Sequence, residues 1–174
     1  VSQSLAKEPI SRPAKDEVKE ILNASTNLLE TINGILDVSK LEANKIECFQ
    51  VEERNDENET AVFRSRMQIK GQVLPFAILV DDSVYTLLQV QLVAGAVKGE
   101  TFANLAPYLN ELNYNYRVFK FVTTADGDLL LNACVPAQND GFDPVLLNAI
   151  IGETVKFLEA EYASIMAKVW NENK

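Results

Sequence analysis

Two long stretches of the chain, one near each end, repeat a line of mainly apolar residues at alternating intervals of four and three positions. In residues 16–45 the line consists of Val18, Leu22, Ser25, Leu29, Ile32, Leu36 and Ser39, with Ile21, Leu28 and Ile35 beside it. From residue 144 to about 171 it consists of Leu147, Ile151, Val155, Leu158, Tyr162, Ile165 and Val169. This spacing predicts two long amphipathic helices. Both faces must be covered, because each buried aliphatic side chain contributes about 1.5–3 kcal/mol.

The middle of the chain alternates apolar and polar residues with the period of two that is typical of half-buried antiparallel strands. Residues 62–69 set Val62, Arg64, Arg66 and Gln68 against Phe63, Ser65, Met67 and Ile69. Residues 73–80 and 84–95 are also rich in strand-forming residues, and turn signals separate the three segments. We therefore expect a three-stranded meander. Residues 47–53 also look like a short strand, which lies outside this meander.

A shorter helix and a hairpin are expected after the meander. Helical spacing returns over residues 101–113, where Thr101 is the expected cap and Pro107 indicates either a kink or a helix start. Ala125-Asp126-Gly127 predicts a tight turn between two strands, because Asp-Gly tolerates positive φ angles. The predicted order is α-β-β-β-α-β-β-α. It describes an α+β fold in which long N- and C-terminal helices pack on one antiparallel sheet of five strands.

The chain is expected to form one domain after a short leader. Residues 1–13 lack periodicity and contain two prolines, so we interpret them as a flexible leader. Residues 14–174 form the single α+β domain, with the long helix in 14–46 and the sheet and remaining helices in 47–174.

Composition excludes several kinds of function. The 174 residues contain no histidine, so phosphohistidine transfer, a serine–histidine triad and a histidine-ligated metal site are all excluded. The formal charge of −9 disfavours nucleic acids and anionic membranes as partners. No apolar run is long enough to span a bilayer, and no signal pattern is present, so a cytoplasmic location is expected. We expect Cys48 and Cys134 to be buried free thiols.

The acidic clusters of the chain are better interpreted as turns and solvated surface than as sites. Asp81-Asp82 and the pair Asp126 and Asp128 both fall at expected turns, and the full calcium-loop pattern is missing. Glycines form no nucleotide-binding loop. The acidic stretch 52–59 is expected to face water. We therefore expect no enzymatic activity, no cofactor, no metal and no small-molecule substrate.

Residues from about 62 to 170 resemble the YbjN family of sensory-transduction regulators, which share the fold of type III secretion chaperones. The resemblance rests on the element order, on ILVDD (78–82), LNELN (109–113) and FKFVTTADGDLLLNACVP (119–136), and on the start of the last helix at Phe142-Asp143. It implies a small, acidic, dimeric, non-enzymatic protein.

A second resemblance covers residues 25–47, which are similar to the second helix of the dimerisation and phosphotransfer domain of histidine kinases. The matching residues are Leu28, Leu29, Ile32, Asn33, Ile35, Leu36, Asp37, Ser39, Lys40, Leu41, Glu42, Ala43 and Lys45. The chain contains neither the phosphoaccepting histidine nor boxes typical of an ATP-binding domain. The resemblance therefore implies the helix of such a domain without its activity.

Two functions follow as hypotheses. The first is a non-enzymatic protein-binding module, secretion-chaperone-like or a sensory-transduction regulator, that associates with itself, as a homodimer, or with a protein partner. The second is a histidine kinase-derived signalling fragment that docks on a kinase or response regulator. The expected interface residues are Leu29, Ile32 and Leu36. Two interpretations of these residues stay open, since they could belong either to an interface or to the core of their own domain.

Overall fold

One antiparallel sheet organises the part of the chain that the structure describes. The structure is a computed structural model, and it describes residues 49–54, 56–58, 60–81, 83–136 and 144–171. Six strands and two helices follow in the order β1 (Gln50–Glu53), β2 (Ala61–Ile69), β3 (Gln72–Val80), β4 (Tyr85–Val93), α1 (Gly99–Asn115), β5 (Phe119–Thr123), β6 (Leu129–Pro136) and α2 (Pro144–Asn171). The sheet order is β1-β2-β3-β4-β6-β5, and every neighbouring pair is antiparallel. The α+β class and the antiparallel sheet are confirmed.

The expected count of five strands is wrong, because β1 also belongs to the sheet. Four residues of β1 pair with β2, from Gln50 opposite Arg64 to Glu53 opposite Ala61. The segment 47–53 had the right composition, but four residues are too few to show a period. The predicted N-terminal helix of 14–46 and the leader of 1–13 lie outside the described residues.

The core lies between one face of the sheet and the two helices. In β2 the residues Phe63, Met67 and Ile69 are buried while Arg64 and Arg66 are exposed, as the alternation predicts. Helix α1 contributes Leu105, Leu109 and Leu112, and α2 contributes Leu147, Ile151, Phe157, Leu158, Ile165 and Val169. Both described helices therefore cover the same side of the sheet.

Phe157 of α2 is the centre of an aromatic cluster that fastens this helix to β5. Its ring centroid lies 4.6 Å from that of Tyr116 and 4.7 Å from that of Phe119, and Phe121 is 6.1 Å away. Aromatic pairs at these separations contribute about 0.5–1.5 kcal/mol each beyond their buried area. The cluster joins the end of α1, the edge strand β5 and the middle of α2.

Helix α1 begins earlier than predicted. Its N-cap is Lys98, and Thr101 lies within the first turn, so the expected cap is wrong. Gly99, the first helical residue, has a φ of +53°, a conformation that glycine adopts without steric cost. Pro107 lies inside the helix, so the alternative of a helix starting near it is wrong as well.

The predicted hairpin joins β5 to β6 and contacts the loop before α1. Gly127 has a φ of +86°, and a Cβ atom added there would lie 2.6 Å from the side chain of Lys98. The backbone N–H of Val97 donates to the carbonyl of Gly127 at 2.9 Å. This turn therefore requires glycine both for its backbone conformation and for its close approach to the loop.

The two edges of the sheet differ. At the β5 edge, the N–H of Phe121 donates to Oδ1 of Asn113 at 2.6 Å, and Nδ2 of Asn113 donates to the carbonyl of Phe121 at 3.3 Å. The Asn113 amide thus occupies the backbone groups that an added strand would pair with. At the other edge, β1 has only four residues.

Replacing Asn113 by alanine is expected to lower the free energy of unfolding by about 1–3 kcal/mol, because two hydrogen bonds to the edge strand are lost. Urea unfolding followed by circular dichroism measures the change. The control Asn115→Ala, at an exposed position on the same helix, is expected to change it by less than about 0.5 kcal/mol. Equal effects of the two substitutions would contradict the role assigned to Asn113.

Candidate functional site: the outer face of the sheet

The candidate site is the face of the sheet opposite α1 and α2, which we call the outer face. Its side chains alternate with the core residues along each strand. By strand register it consists of Gln50 and Glu52, Val62, Arg64, Arg66 and Gln68, Val73, Pro75, Ala77 and Leu79, Tyr85, Leu87, Gln89 and Gln91, Leu130, Asn132 and Cys134, and Lys120 and Val122. Neither described helix contributes to it.

A row of polar side chains crosses the middle of the outer face. In strand order from β1 to β5 the row reads Gln50, Arg64, Ala77, Gln89, Asn132 and Lys120. The amide Nε2 of Gln89 donates to Oδ1 of Asn132 at 3.1 Å, which links β4 to β6. Ala77 is the one small residue of the row, so its short side chain leaves a depression between the longer side chains of Arg64 and Gln89.

A neighbouring row is largely apolar. It runs from Glu52 through Val62, Leu79 and Leu87 to Cys134. Val62 is only 1% exposed, and the two leucines are partly buried. Cys134 forms no disulfide, but the expectation that its thiol is buried is wrong, because the register of β6 turns this residue to the outer face, where it is exposed. Cys48 lies outside the described residues.

A groove with a volume of about 670 Å³ lies on the outer face. Its lining includes Arg64, Arg66, Ala77, Gln89, Gln91 and Leu130. Guanidinium and amide groups offer hydrogen-bond donors and acceptors there, while Ala77 and Leu130 offer apolar contact. Such a mixture suits a polypeptide segment, which presents apolar, amide and carboxylate groups together.

The outer face is cationic although the chain is acidic. Its described charges are those of Arg64, Arg66 and Lys120 against the carboxylates of Glu52 and of Asp128, which lines the groove, in a chain of formal charge −9. Arg66 is exposed, and it forms no ion pair with any residue in the described ranges. An anionic partner is therefore favoured at this face.

Glu52 forms ion pairs with Arg64 and Arg54. Nε of Arg64 donates to Oε2 of Glu52 at 2.7 Å, and Nε of Arg54 lies 3.5 Å from Oε1. The hydrogen bond from Arg64 is the main cause that lowers the pKa of the Glu52 carboxyl, and the charges of Arg64 and Arg54 add to it. This pair ties β1 to β2 across the outer face.

Three exposed apolar side chains of the outer face lie outside the lining of the groove. Val73, Tyr85 and Val122 are 57%, 51% and 40% exposed. Because Val73 and Tyr85 lie towards opposite ends of the strands, the three do not form one continuous apolar patch.

The residues expected to form an interface cannot be placed on this geometry, because Leu29, Ile32 and Leu36 lie outside the described residues.

The aspartates of the other acidic clusters accept backbone hydrogen bonds at turns and loops. Asp81 accepts the N–H of Ser83 at 3.0 Å within the turn, while Asp82 lies outside the described residues. Asp128 accepts the N–H of Gly95 at 2.8 Å and so fastens the hairpin to the loop after β4.

In the acidic stretch 52–59, the described side chains of Glu52, Asp56 and Glu57 are exposed, as expected, and two of them also have structural partners. Glu52 pairs with arginine, whereas Asp56 accepts the N–H of Thr60 at 2.9 Å. That hydrogen bond is the main cause that lowers the pKa of Asp56. Among the residues that the structure describes, Cys, Asp and Glu side chains form no group of three that could hold a metal ion.

The groove residues were not predicted as a site. The alternation over 62–69 had already set Arg64 and Arg66 on one face. Gln89, Gln91 and Asn132 repeat the same signal in two other strands, but the sheet order β4-β6 that brings them beside one another joins strands far apart in the chain. Period-two polar residues shared by several strands were the available signal.

Comparison with known proteins does not extend this description. No protein-family model and no curated protein matches the chain. Neither described helix has the combination of length and apolar character that crossing a membrane requires.

The carboxyl of Glu52 is expected to titrate below its ordinary range, and Arg64→Gln is expected to raise its pKa. Since the folded-state pKa is lowered, the pair stabilises the fold above the unfolded pKa, and this contribution is lost as the pH falls through the folded pKa. A ¹³C NMR titration of the side-chain carboxyl measures both values. The matched variant Arg66→Gln is expected to leave the Glu52 titration in place, and a Glu52 pKa indifferent to Arg64 would contradict the pairing.

Proposed function

We propose that this protein is a non-enzymatic protein-binding module that holds a helical segment of a polypeptide against the outer face of its sheet. The observation that carries the proposal is the groove of about 670 Å³ on the face opposite both described helices. An amphipathic helix laid in such a groove is a common mode of peptide recognition. The proposed partner is another protein or a second copy of this chain, as in a homodimer.

Charge and shape indicate the chemistry of the bound segment. Arg64 and Arg66 outnumber Asp128, the one carboxylate in the groove lining, and so favour carboxylates on the segment. Ala77 and Leu130 favour apolar side chains. The segment is therefore proposed to be amphipathic and acidic. The chain itself, with its formal charge of −9, falls within this class.

The wider assignment rests on the same surface and on the resemblance to the YbjN family. We assign the protein the secretion-chaperone-like or sensory-regulator role that this resemblance implies, acting in the cytoplasm. The assignment includes no cofactor, metal, small-molecule substrate, nucleic acid or membrane. The outer face supports it, because a groove lined by amide, guanidinium and apolar groups suits a protein partner.

A signalling fragment is the second candidate, favoured by the kinase-like segment of residues 25–47. In that function the segment docks on a kinase or response regulator and has no phosphotransfer activity of its own. The two candidates differ in where Leu28–Leu41 is buried. In the first it packs within this protein or its copies, and in the second it packs on a signalling partner.

A fluorescent synthetic peptide with the sequence of residues 16–45 is the probe for the proposed function. We expect saturable binding to the full chain by fluorescence anisotropy. Arg66→Glu is expected to weaken it about tenfold, because the substitution sets a carboxylate against an acidic ligand. Lys156→Glu, the same charge reversal at an exposed position of α2, is expected to leave the affinity unchanged. A peptide that does not bind, or that binds all three chains equally, would contradict the proposal.

A further inference from the structure

One edge of the sheet is occupied and the other is exposed. At the β5 edge the amide of Asn113 bonds to both backbone groups of Phe121. Among the strands that the structure describes, β1 has one neighbour, which is β2. Residues 50–52 of β1 are all exposed, and Val51 is 38% exposed although Phe63, its partner in the register, is fully buried. The β1 edge is therefore the edge at which the sheet can be extended.

The register of β1 and β2 shows which backbone groups lie at that edge. The N–H of Arg54 donates to the carbonyl of Thr60 at 2.8 Å. Hydrogen-bonded pairs of an antiparallel ladder come at every second residue, so the even-numbered residues of β1 bond to β2. The N–H and C=O groups of Val51 and Glu53 consequently point away from β2. The edge thus presents donors and acceptors in the alternation that an added antiparallel strand requires.

We infer that the β1 edge binds the β1 edge of a second copy of this chain, in antiparallel orientation around a two-fold axis at Val51. In this register Val51 lies opposite Val51 of the copy, and Gln50 lies opposite Glu52 of the copy. The sheets of the two chains then form one continuous sheet. The contact lies at the edge of β1 and not in the groove, so the inference goes beyond the proposed function.

Side-chain pairing favours this register. An axis near the middle of β1 lets the most residues pair, and outward-facing backbone groups meet only if the axis passes through a residue, which leaves Val51 and Glu52. An axis at Glu52 would set two carboxylates directly opposite one another, which is destabilising. An axis at Val51 sets the Gln50 amide, which donates hydrogen bonds, opposite the Glu52 carboxylate, which accepts them.

The core side of the junction gains an apolar contact. Val51 lies on the same face of the sheet as Phe63, at the rim of the core. Pairing around the axis sets its side chain against that of the copy, beside Phe49, which is 6% exposed. Cross-strand contacts of β-branched residues stabilise antiparallel sheets. The exposed valine thus becomes part of an apolar surface that two chains share.

One exposed edge in each chain limits the assembly to two copies. A two-fold contact uses the same surface of both chains, and Asn113 occupies backbone groups at the far edge of each. The expected assembly is therefore a closed dimer and not a fibril. Because β1 has only four residues, the contact is small, and we expect reversible association and not an obligate dimer.

Disulfide formation tests the register. In a background carrying Cys48→Ser and Cys134→Ser, Val51→Cys is expected to form a disulfide-linked dimer at least about tenfold faster than Val73→Cys, because opposed residues of a hydrogen-bonded pair lie about 5.5 Å apart, within the reach of a disulfide. Non-reducing gel electrophoresis measures both rates. Val73 is the more exposed position, at 57% against 38%. Equal rates, or faster linkage at Val73, would overturn the inference.

Charge reversal gives a second measurement in the chain with its native cysteines. By sedimentation equilibrium, Gln50→Glu is expected to weaken dimerisation about tenfold, because it sets a carboxylate opposite Glu52 of the copy, whereas Gln50→Lys is expected to strengthen it. The matched changes Gln68→Glu and Gln68→Lys, at an exposed position of β2, alter the net charge equally and are expected to have no effect. A chain that stays monomeric, or a dimer indifferent to position 50, would overturn the inference.

The inference and the proposed function can fail separately. If the peptide of residues 16–45 binds the groove but Val51→Cys shows no faster linkage, the inference fails and the proposed function stands. If Val51→Cys links as expected but the peptide does not bind, the proposed function fails and the inference stands.

Discussion

The burial of apolar side chains on one side of an antiparallel sheet is the constraint on which the rest of this structure depends. Successive side chains of a strand point to opposite faces, so each apolar residue placed on the core side commits its neighbour to the other side. In β2 this sets Phe63 and Met67 against Arg64 and Arg66. Both described helices then pack where the apolar surface is, and the Phe157 cluster fastens α2 to β5.

The outer face follows from that constraint. Its polar row consists of residues that alternate with the core, and the strand order β3-β4-β6 brings the middle of that row together. Most of the residues that line the groove also alternate with the core. The two edges of the sheet expose backbone groups, whereas its faces expose side chains. Asn113 occupies backbone groups at the β5 edge with its amide, and β1 at the other edge has only four residues. The groove is lined by residues of the sheet and its turns, without either described helix.

Sequence patterns correctly predicted the elements in which a periodic pattern continues over many residues, and the turn in which only a few residue types fit the backbone conformation. The alternation of β2, the Asp-Gly hairpin and the long helix α2 are all confirmed. Failures occurred where a local signal was short or ambiguous. Four residues of β1 show no period, and Thr101 is a good capping residue that lies within a helix begun at Gly99.

The candidate site was less predictable than the fold, because it depends on contacts between distant parts of the chain. The pairing of Gln89 with Asn132 needs β4 and β6 to be neighbours, although α1 and β5 lie between them in sequence. The bond between Asn113 and Phe121 needs α1 to lie along the sheet edge. Burial of Val62 on a polar face had no signal in the alternation, which assigned it to the side of Arg64 and Arg66.

One pair of neighbouring substitutions in β4 tests the one-sided burial most directly. Leu88 is fully buried on the core side, and Gln89 is partly buried on the outer face. By urea unfolding, Leu88→Ala is expected to lower the free energy of unfolding by about 2–5 kcal/mol, and Gln89→Ala by about 1 kcal/mol or less. Equal losses at the two positions, or a larger loss at Gln89, would contradict a core confined to one face of the sheet.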